Sequence, residues 1–373
     1  MKRRGYMFTG GMPDPASFPA EKLAEAAQKA VRREGGELFV RYPGDQGNAA
    51  LREMAARRFN EAQRADASPE EVAITNGSMQ ALDLIIRAYV PRGGVVLTEE
   101  LTYMGTLGIL RHLDARVVGV PVDENGMNTD ALAEILDGLR RAGVRPALIN
   151  TVPVNHNPTG MHMSAERKQR LIQLAEEHDV LILEDECYGD IYFGEHPPRA
   201  LYAEAPAGRV AYAGTFSKTI GPGMRLGYMI APPSVMRHVM RWRWDGGTSA
   251  FASVILAEFL KEHMWEHIRE TNKIVQQKRN VLIEALETEL GGSVHCNPPK
   301  GGLFAWVKVL DQTDMGQLMA RLEARQVYCT RGQAFHAAGA DIPYVRFSFA
   351  YPSLDEIREG VAIFAECLQA SQR

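Results

Sequence analysis

At 373 residues, 45% hydrophobic and 24% charged, with a formal net charge of −4, the chain has the composition of a soluble globular protein with one large and one smaller core. Disorder is excluded on that balance, and the absence of a dense Lys/Arg block argues against a phosphate-backbone partner, so no nucleic acid is expected. Cys187, Cys296, Cys329 and Cys367 are widely separated with no Cys-x-x-Cys pair, which argues against a zinc ribbon or a disulfide framework; no metal is expected and a reducing cytoplasm fits.

The N-terminus Met1-Lys2-Arg3-Arg4 is basic, but Gly5 to Pro15 has no continuous apolar stretch. Nowhere does the chain approach the roughly 20 apolar residues needed to span a bilayer, so a soluble, unprocessed, cytoplasmic protein with no membrane partner is expected. Further along, short apolar runs alternate with longer helical patterns. Glu71–Thr75, Val95–Thr98, Val117–Val120, Ala147–Val152, Val180–Leu183, Val210–Ala213 and Leu226–Ile230 read as seven strands. Most are too continuously apolar to have a wet face, which predicts an α/β fold with a mainly parallel sheet covered by helices on both sides.

In such sheets ligands bind beyond the carboxyl ends of the strands. After Thr75 come Asn76-Gly77-Ser78-Met79 and an apolar helix, so Ser78 reads either as an anion donor at a helix start or as a plain N-cap. After Val152, the loop Pro153-Val154-Asn155-His156-Asn157-Pro158-Thr159-Gly160 puts the Asn157 amide near a strand end. The run Leu181-Ile182-Leu183 ends in Glu184-Asp185-Glu186-Cys187-Tyr188. Carboxylates there need a positive charge, which a pyridinium held by Asp185 would supply, while Glu186 is expected to cap the next loop.

After the sixth run comes Gly214-Thr215-Phe216-Ser217-Lys218-Thr219-Ile220-Gly221-Pro222-Gly223-Met224-Arg225, one amine among hydroxyls, glycines and an arginine. A lysine amine forms a Schiff base with an aldehyde, and Thr215, Ser217 and Arg225 are donors for a phosphate dianion. Pyridoxal 5′-phosphate carries both groups. Each strand end then matches a different part of that one cofactor.

These motifs, with Thr9-Gly10-Gly11-Met12-Pro13-Asp14-Pro15, Arg41-Tyr42-Pro43-Gly44-Asp45-Gln46-Gly47 and Val345-Arg346-Phe347-Ser348-Phe349, resemble the fold-type I pyridoxal-phosphate aminotransferases. The likeness covers nearly the whole chain and points to the branch with 2-aminoadipate and aromatic aminotransferases. It implies Lys218 as Schiff-base lysine and general base, and Asp185 on the pyridine nitrogen. Asn157 and Tyr188 would hold the ring oxygen. Ser78, the Met79 backbone, Thr215, Ser217 and Arg225 would bind the phosphate. Tyr103 would stack on the ring, though its other reading is a core aromatic. Arg346 would clamp the substrate α-carboxylate, with Gly11 and Asn157 also against the substrate, and Tyr42 would reach the phosphate of a second copy in a homodimer. An N-terminal segment (1–43) and a C-terminal region (276–373) would form a smaller domain beside a larger cofactor domain (44–275), with a long helix over Ser249–Leu290 and a strand over Gly302–Val309.

The implied reaction is amino transfer between an L-amino acid and a 2-oxo acid; the same cofactor also serves lyases, γ-replacement enzymes and cyclases, and a cofactor-sensing regulator domain is a further alternative. Here the sequence departs from the family at His156, where glutamine is usual, and at Arg331, where proline is usual. His156 reads as a loop hydrogen bonder or a proton carrier. Arg3 and Arg4 either stand in for a longer N-terminal arm or are solvated.

Overall fold

The computed structural model describes residues 5–205, 208–310 and 312–372, so Arg3 and Arg4 lie outside the described residues. The central sheet has seven strands: β1 Val72–Thr75, β2 Val95–Glu99, β3 Arg116–Val120, β4 Leu148–Thr151, β5 Ile182–Glu186, β6 Val210–Thr215 and β7 Gly227–Ile230. Their spatial order is β1-β7-β6-β5-β4-β2-β3. All neighbours are parallel except β7, which runs antiparallel to both β1 and β6. Each of the seven apolar runs is a strand, and the mainly parallel α/β class holds. Because β7 runs backwards, its first residue Gly227 pairs with Thr75 and Thr215, so Arg225 arrives at the same edge as the ends of β1, β6, β5 and β4.

One run is longer than the sequence suggests. The apolar pattern ends it at Leu183, yet β5 continues through Glu184, Asp185 and Glu186, which pair with Thr151, Tyr212, Ala213 and Gly214 on the flanking strands. A run read by its apolar residues stops at the first charge, but ladder bonds on both sides hold this backbone extended, and the carboxylates find donors inside the protein.

A second, antiparallel sheet is ordered Val294–Cys296, Phe304–Val309, Tyr344–Ser348 and Thr330–Arg331. Helix Ala250–Leu290, started by the Ser249 hydroxyl accepting from Ala252 N–H, runs past both sheets. Its buried residues up to Ile268 pack with the larger sheet's core and those from Val275 onward with the smaller sheet's.

The segment 1–43 divides between the two cores, whereas the sequence reading assigns it to the smaller. Tyr6–Met7 pairs with Val327–Tyr328 and Phe8 packs against the smaller sheet. Helix Ala20–Glu34 instead buries Leu23, Ala26 and Ala30 with the larger core. An apolar stripe specifies burial but not the partner; here the partner is the first half of the long helix, flanked by Lys22–Glu266, Lys29–Glu262 and Arg33–Glu258 ion pairs.

Candidate active site

One end of the cavity at the carboxyl edge of the sheet is built for an anion. Gly77, at φ 75°, starts helix Ser78–Tyr89 with no side-chain cap, so the helix offers its first N–H groups and partial positive charge to the cavity. A Cβ at Gly77 would stand 3.0 Å from the Arg225 guanidinium, and one at Gly227 would stand 2.7 Å from Ser78 N; bare glycine permits both approaches. Arg225, itself left-handed at φ 53°, is aimed by an Nη2 bond to Asn76 O of 3.0 Å. Across from it, Thr215 Oγ1 donates to Ser217 Oγ at 2.9 Å and accepts from Ser217 N–H at 3.1 Å.

Lys218 lines the same cavity. Phe216 and Ile220 bury in the larger core, which leaves Thr215, Ser217 and Lys218 facing the cavity. The amine donates to Gly11 O at 2.9 Å, and a Cβ on Gly11 would meet it at 3.3 Å and Tyr188 Oη at 3.6 Å. Burial pushes the Lys218 amine below its ordinary value, against the opposing pull of Cys187 and Asp185.

Asp185, Tyr188, Asn157 and Tyr103 complete the wall. Burial pushes the Asp185 carboxyl up to about 6, with the Cys187 thiol, 2.9 Å from Oδ1, pulling the other way. Burial likewise holds the Tyr188 phenol well above its usual value and the Tyr103 phenol up to about 12, so both stay protonated donors. Tyr103 lies over Gly105, where a Cβ would come within 2.5 Å of its ring. Glu186 points away and accepts from Tyr188 N–H at 3.1 Å, the loop cap expected of it.

Arg346 comes from the smaller sheet. Its Nη1 donates to Asn157 Oδ1 at 2.7 Å and its Nη2 to Thr9 O at 2.5 Å, with the guanidinium 4.0 Å from the Phe304 ring centre and 4.6 Å from that of Phe335. Burial lowers its pKa to about 10. With Asn157 Oδ1 occupied, the amide nitrogen Nδ2 is left as the donor toward the cavity.

The geometry therefore brings together Ser78, Met79, Tyr103, Asn157, Asp185, Tyr188, Thr215, Ser217, Lys218 and Arg225, with Gly11 and Arg346 bonded to members of that set. It leaves Tyr42 outside: the residue is 88% exposed, and a Cβ at Gly246 would stand 3.0 Å from its ring. His156 is buried behind the loop with Nδ1 on Thr159 Oγ1 at 2.7 Å, and burial lowers its pKa. Arg331 forms a bidentate pair with Asp341 at 2.5 and 2.9 Å. Sequence reasoning missed Cys187, although it shares the face of Asp185 two residues earlier, and it missed Thr9, Phe304 and Phe335 around Arg346, which no spacing announces.

In chemical terms the cavity combines a donor-rich end for a dianion, a desolvated amine and a buried carboxylate. A profile described as aminotransferase class I and II matches residues 9–364. The aromatic-amino-acid aminotransferase 1 of Thermococcus litoralis is 30% identical over 98% of this chain and 88% of its own length. The 2-aminoadipate transaminase of Thermus thermophilus is 32% identical over 97% and 89%. Among solved structures, the α-aminoadipate aminotransferase of Thermus thermophilus, complexed with N-(5′-phosphopyridoxyl)-L-leucine, superposes with a TM-score of 0.91 at 32% identity over 99% of this chain and 93% of that one. On the profile match and these two relatives, the chain belongs to the class I and II aminotransferases.

Proposed function

We propose that this chain moves an amino group between an L-amino acid and a 2-oxo acid on pyridoxal 5′-phosphate held at Lys218. The observation that carries the reading is one cavity lined together by the Lys218 amine, the Ser78–Arg225 cradle and Asp185, with Arg346 bonded to Asn157 of its wall. The residues fit the cofactor chemically: the cradle lines its end with N–H, O–H and guanidinium donors, and a buried acid and a buried amine share the same cavity.

In this reading Ser78, the Met79 N–H, Thr215, Ser217 and Arg225 bind the phosphate, and Tyr103 covers one ring face. Asn157 Nδ2 and Tyr188 Oη donate to the ring oxygen, and Asp185 accepts the ring N–H. When bound, the cofactor supplies an aldehyde for the amine and a protonated ring that takes up the electron pair of a substrate Cα–H bond. Arg346 uses two of its five N–H groups on Asn157 and Thr9, and its buried Nε has no hydrogen-bond partner among the described residues, so N–H groups remain for a substrate carboxylate. That carboxylate, beside Gly11, orients the Cα–H toward Lys218 Nζ, which takes the proton and returns it. Burial lowers the basicity of Nζ below that of an ordinary lysine, the direction in which an amine becomes free to take up a proton.

Tyr42 is read as reaching the phosphate site of a second copy. The exposed Phe39, Val40 and Tyr42, with Phe39 against Phe251 at 6.0 Å and Trp244 90% exposed, support a homodimer through this apolar face. The larger domain is read as residues 44–275 with helix Ala20–Glu34 packed on it, and the smaller as 276–373 with Tyr6, Met7 and Phe8. Four unpaired thiols support a cytoplasmic location. Among the described residues no helix is long and apolar enough to cross a membrane.

The test is a visible-absorption titration of the loaded protein with acidic, aromatic, aliphatic and basic amino acids, then with 2-oxo acids. A donor is expected to remove the cofactor's visible band and an oxo acid to restore it. Ammonia release without that recovery would replace transfer by elimination. Turnover surviving in Lys218→Ala would sink the role of Nζ. Mixing Lys218→Ala with Tyr42→Ala protein is expected to recover part of the activity if the sites are shared between copies.

A further inference from the structure

Among the polar residues lining the cavity, Cys187 has no task in the reading above. Its Sγ lies 2.9 Å from Asp185 Oδ1 and 3.2 Å from Ser78 Oγ, so it touches both the expected partner of the ring nitrogen and the expected phosphate end. It follows β5 directly, and residues 185 and 187 of an extended chain share a face. A thiol carries one proton, and a carboxylate competes for it better than a hydroxyl does. The proton therefore goes to Oδ1, and the Ser78 hydroxyl donates to sulfur. Oδ2 has no hydrogen-bond partner among the described residues.

We propose that Cys187 is a positioning residue whose thiol donates to Asp185 Oδ1 and accepts from Ser78, orienting the carboxylate with Oδ2 turned to the cavity before the cofactor arrives. The inference rests on the reading that Asp185 meets the ring nitrogen. Burial holds the thiol far above its ordinary pKa, which keeps it a donor through neutral pH, and its donation keeps the Asp185 carboxyl lower than burial alone would.

The experiment measures pyridoxal phosphate binding to the cofactor-free protein, by fluorescence quenching from pH 6 to 9, in the wild type, Cys187→Ala, Cys187→Ser, Asp185→Asn and the Asp185→Asn/Cys187→Ala double variant. Losing a weak donor to a charged acceptor is expected to weaken binding about five- to tenfold in Cys187→Ala and to move its acid limb to higher pH. Cys187→Ser, which keeps a donor, is expected to recover most of both effects. In the double variant the cysteine change is expected to add nothing to the loss in Asp185→Asn.

A Cys187→Ala profile identical to wild type, or a serine variant as weak as the alanine one, overturns the inference. Asp185→Asn separates the two failures. If it binds as wild type does, the reading of Asp185 falls and the inference with it. If it binds weakly while Cys187→Ala is unchanged, only the positioning role falls.

Discussion

Side chains alternate along β5, so Asp185 faces the cavity while Glu184 and Glu186 face the opposite layer, and burial pushes all three upward, Asp185 to about 6, Glu184 to about 7 and Glu186 to about 8. Their partners differ. Glu184 accepts N–H bonds from Leu201 and Tyr202, each 2.8 Å long. Glu186 accepts from Tyr188 N–H and feels Arg58, whose guanidinium is itself held by Asp190 and Tyr228. Asp185 has a thiol on one oxygen and a cavity beside it. An acid met by backbone donors secures the fold; one met by a weak donor and left open on one side is available to a ligand.

The sharpest break between the faces is expected in turnover. Removing a charge aimed at the reacting ring typically costs about 10²–10³-fold, so Asp185→Asn is expected to lower kcat by about that factor while Glu184→Gln stays within about twofold of wild type. Steady-state kinetics on both variants checks this, and an equal fall in Glu184→Gln would erase the contrast. Next is the ion pair behind the sheet. Breaking a buried pair costs about 3–5 kcal/mol, so Arg58→Met is expected to lose about that much stability in denaturant unfolding with turnover of the folded fraction largely kept. Smaller still is Glu184→Gln itself, expected to lose about 1–3 kcal/mol because one of two backbone N–H groups is left poorly met.

Much of this was legible in the sequence because the fold puts polar residues immediately after apolar runs. Ser78, Asn157 and Lys218 each follow such a run and each lines the cavity. The acids were harder. A charge reads as the end of a strand, so β5 looked shorter than it is, and which of Asp185 and Glu186 points inward depends on where the pleat begins. Long-range partners carry no local signal at all: Thr9 bonds Arg346 across the chain, and Arg331, conspicuous where proline is usual, is taken up by Asp341. Tyr42 gains a task only in the family reading, since in a single copy its ring is exposed.

Titration separates the two faces most finely. Each acid has a folded pKa above its unfolded value of about 3.9 for Asp or 4.3 for Glu, so the folded protein holds the extra proton. The sign follows: the stability from that proton is complete below the unfolded pKa and lost as pH rises to the folded one. For Asp185 the loss lies between about pH 4 and 6, and for Glu184 and Glu186 it extends to about 7 and 8, with a slope of at most about 1.4 kcal/mol per pH unit for each group. In cofactor-free protein, Asp185→Asn is therefore expected to flatten the fall in denaturation midpoint below about pH 6 and leave the fall above it, whereas Glu186→Gln is expected to flatten the part up to about pH 8. If Asp185 is the group that accepts the ring N–H, pyridoxal phosphate is expected to shrink the first difference and leave the second. If the cofactor acted equally on both, Asp185 would have no privileged access to the ring, and the two faces of β5 would be alike in function as well as in burial.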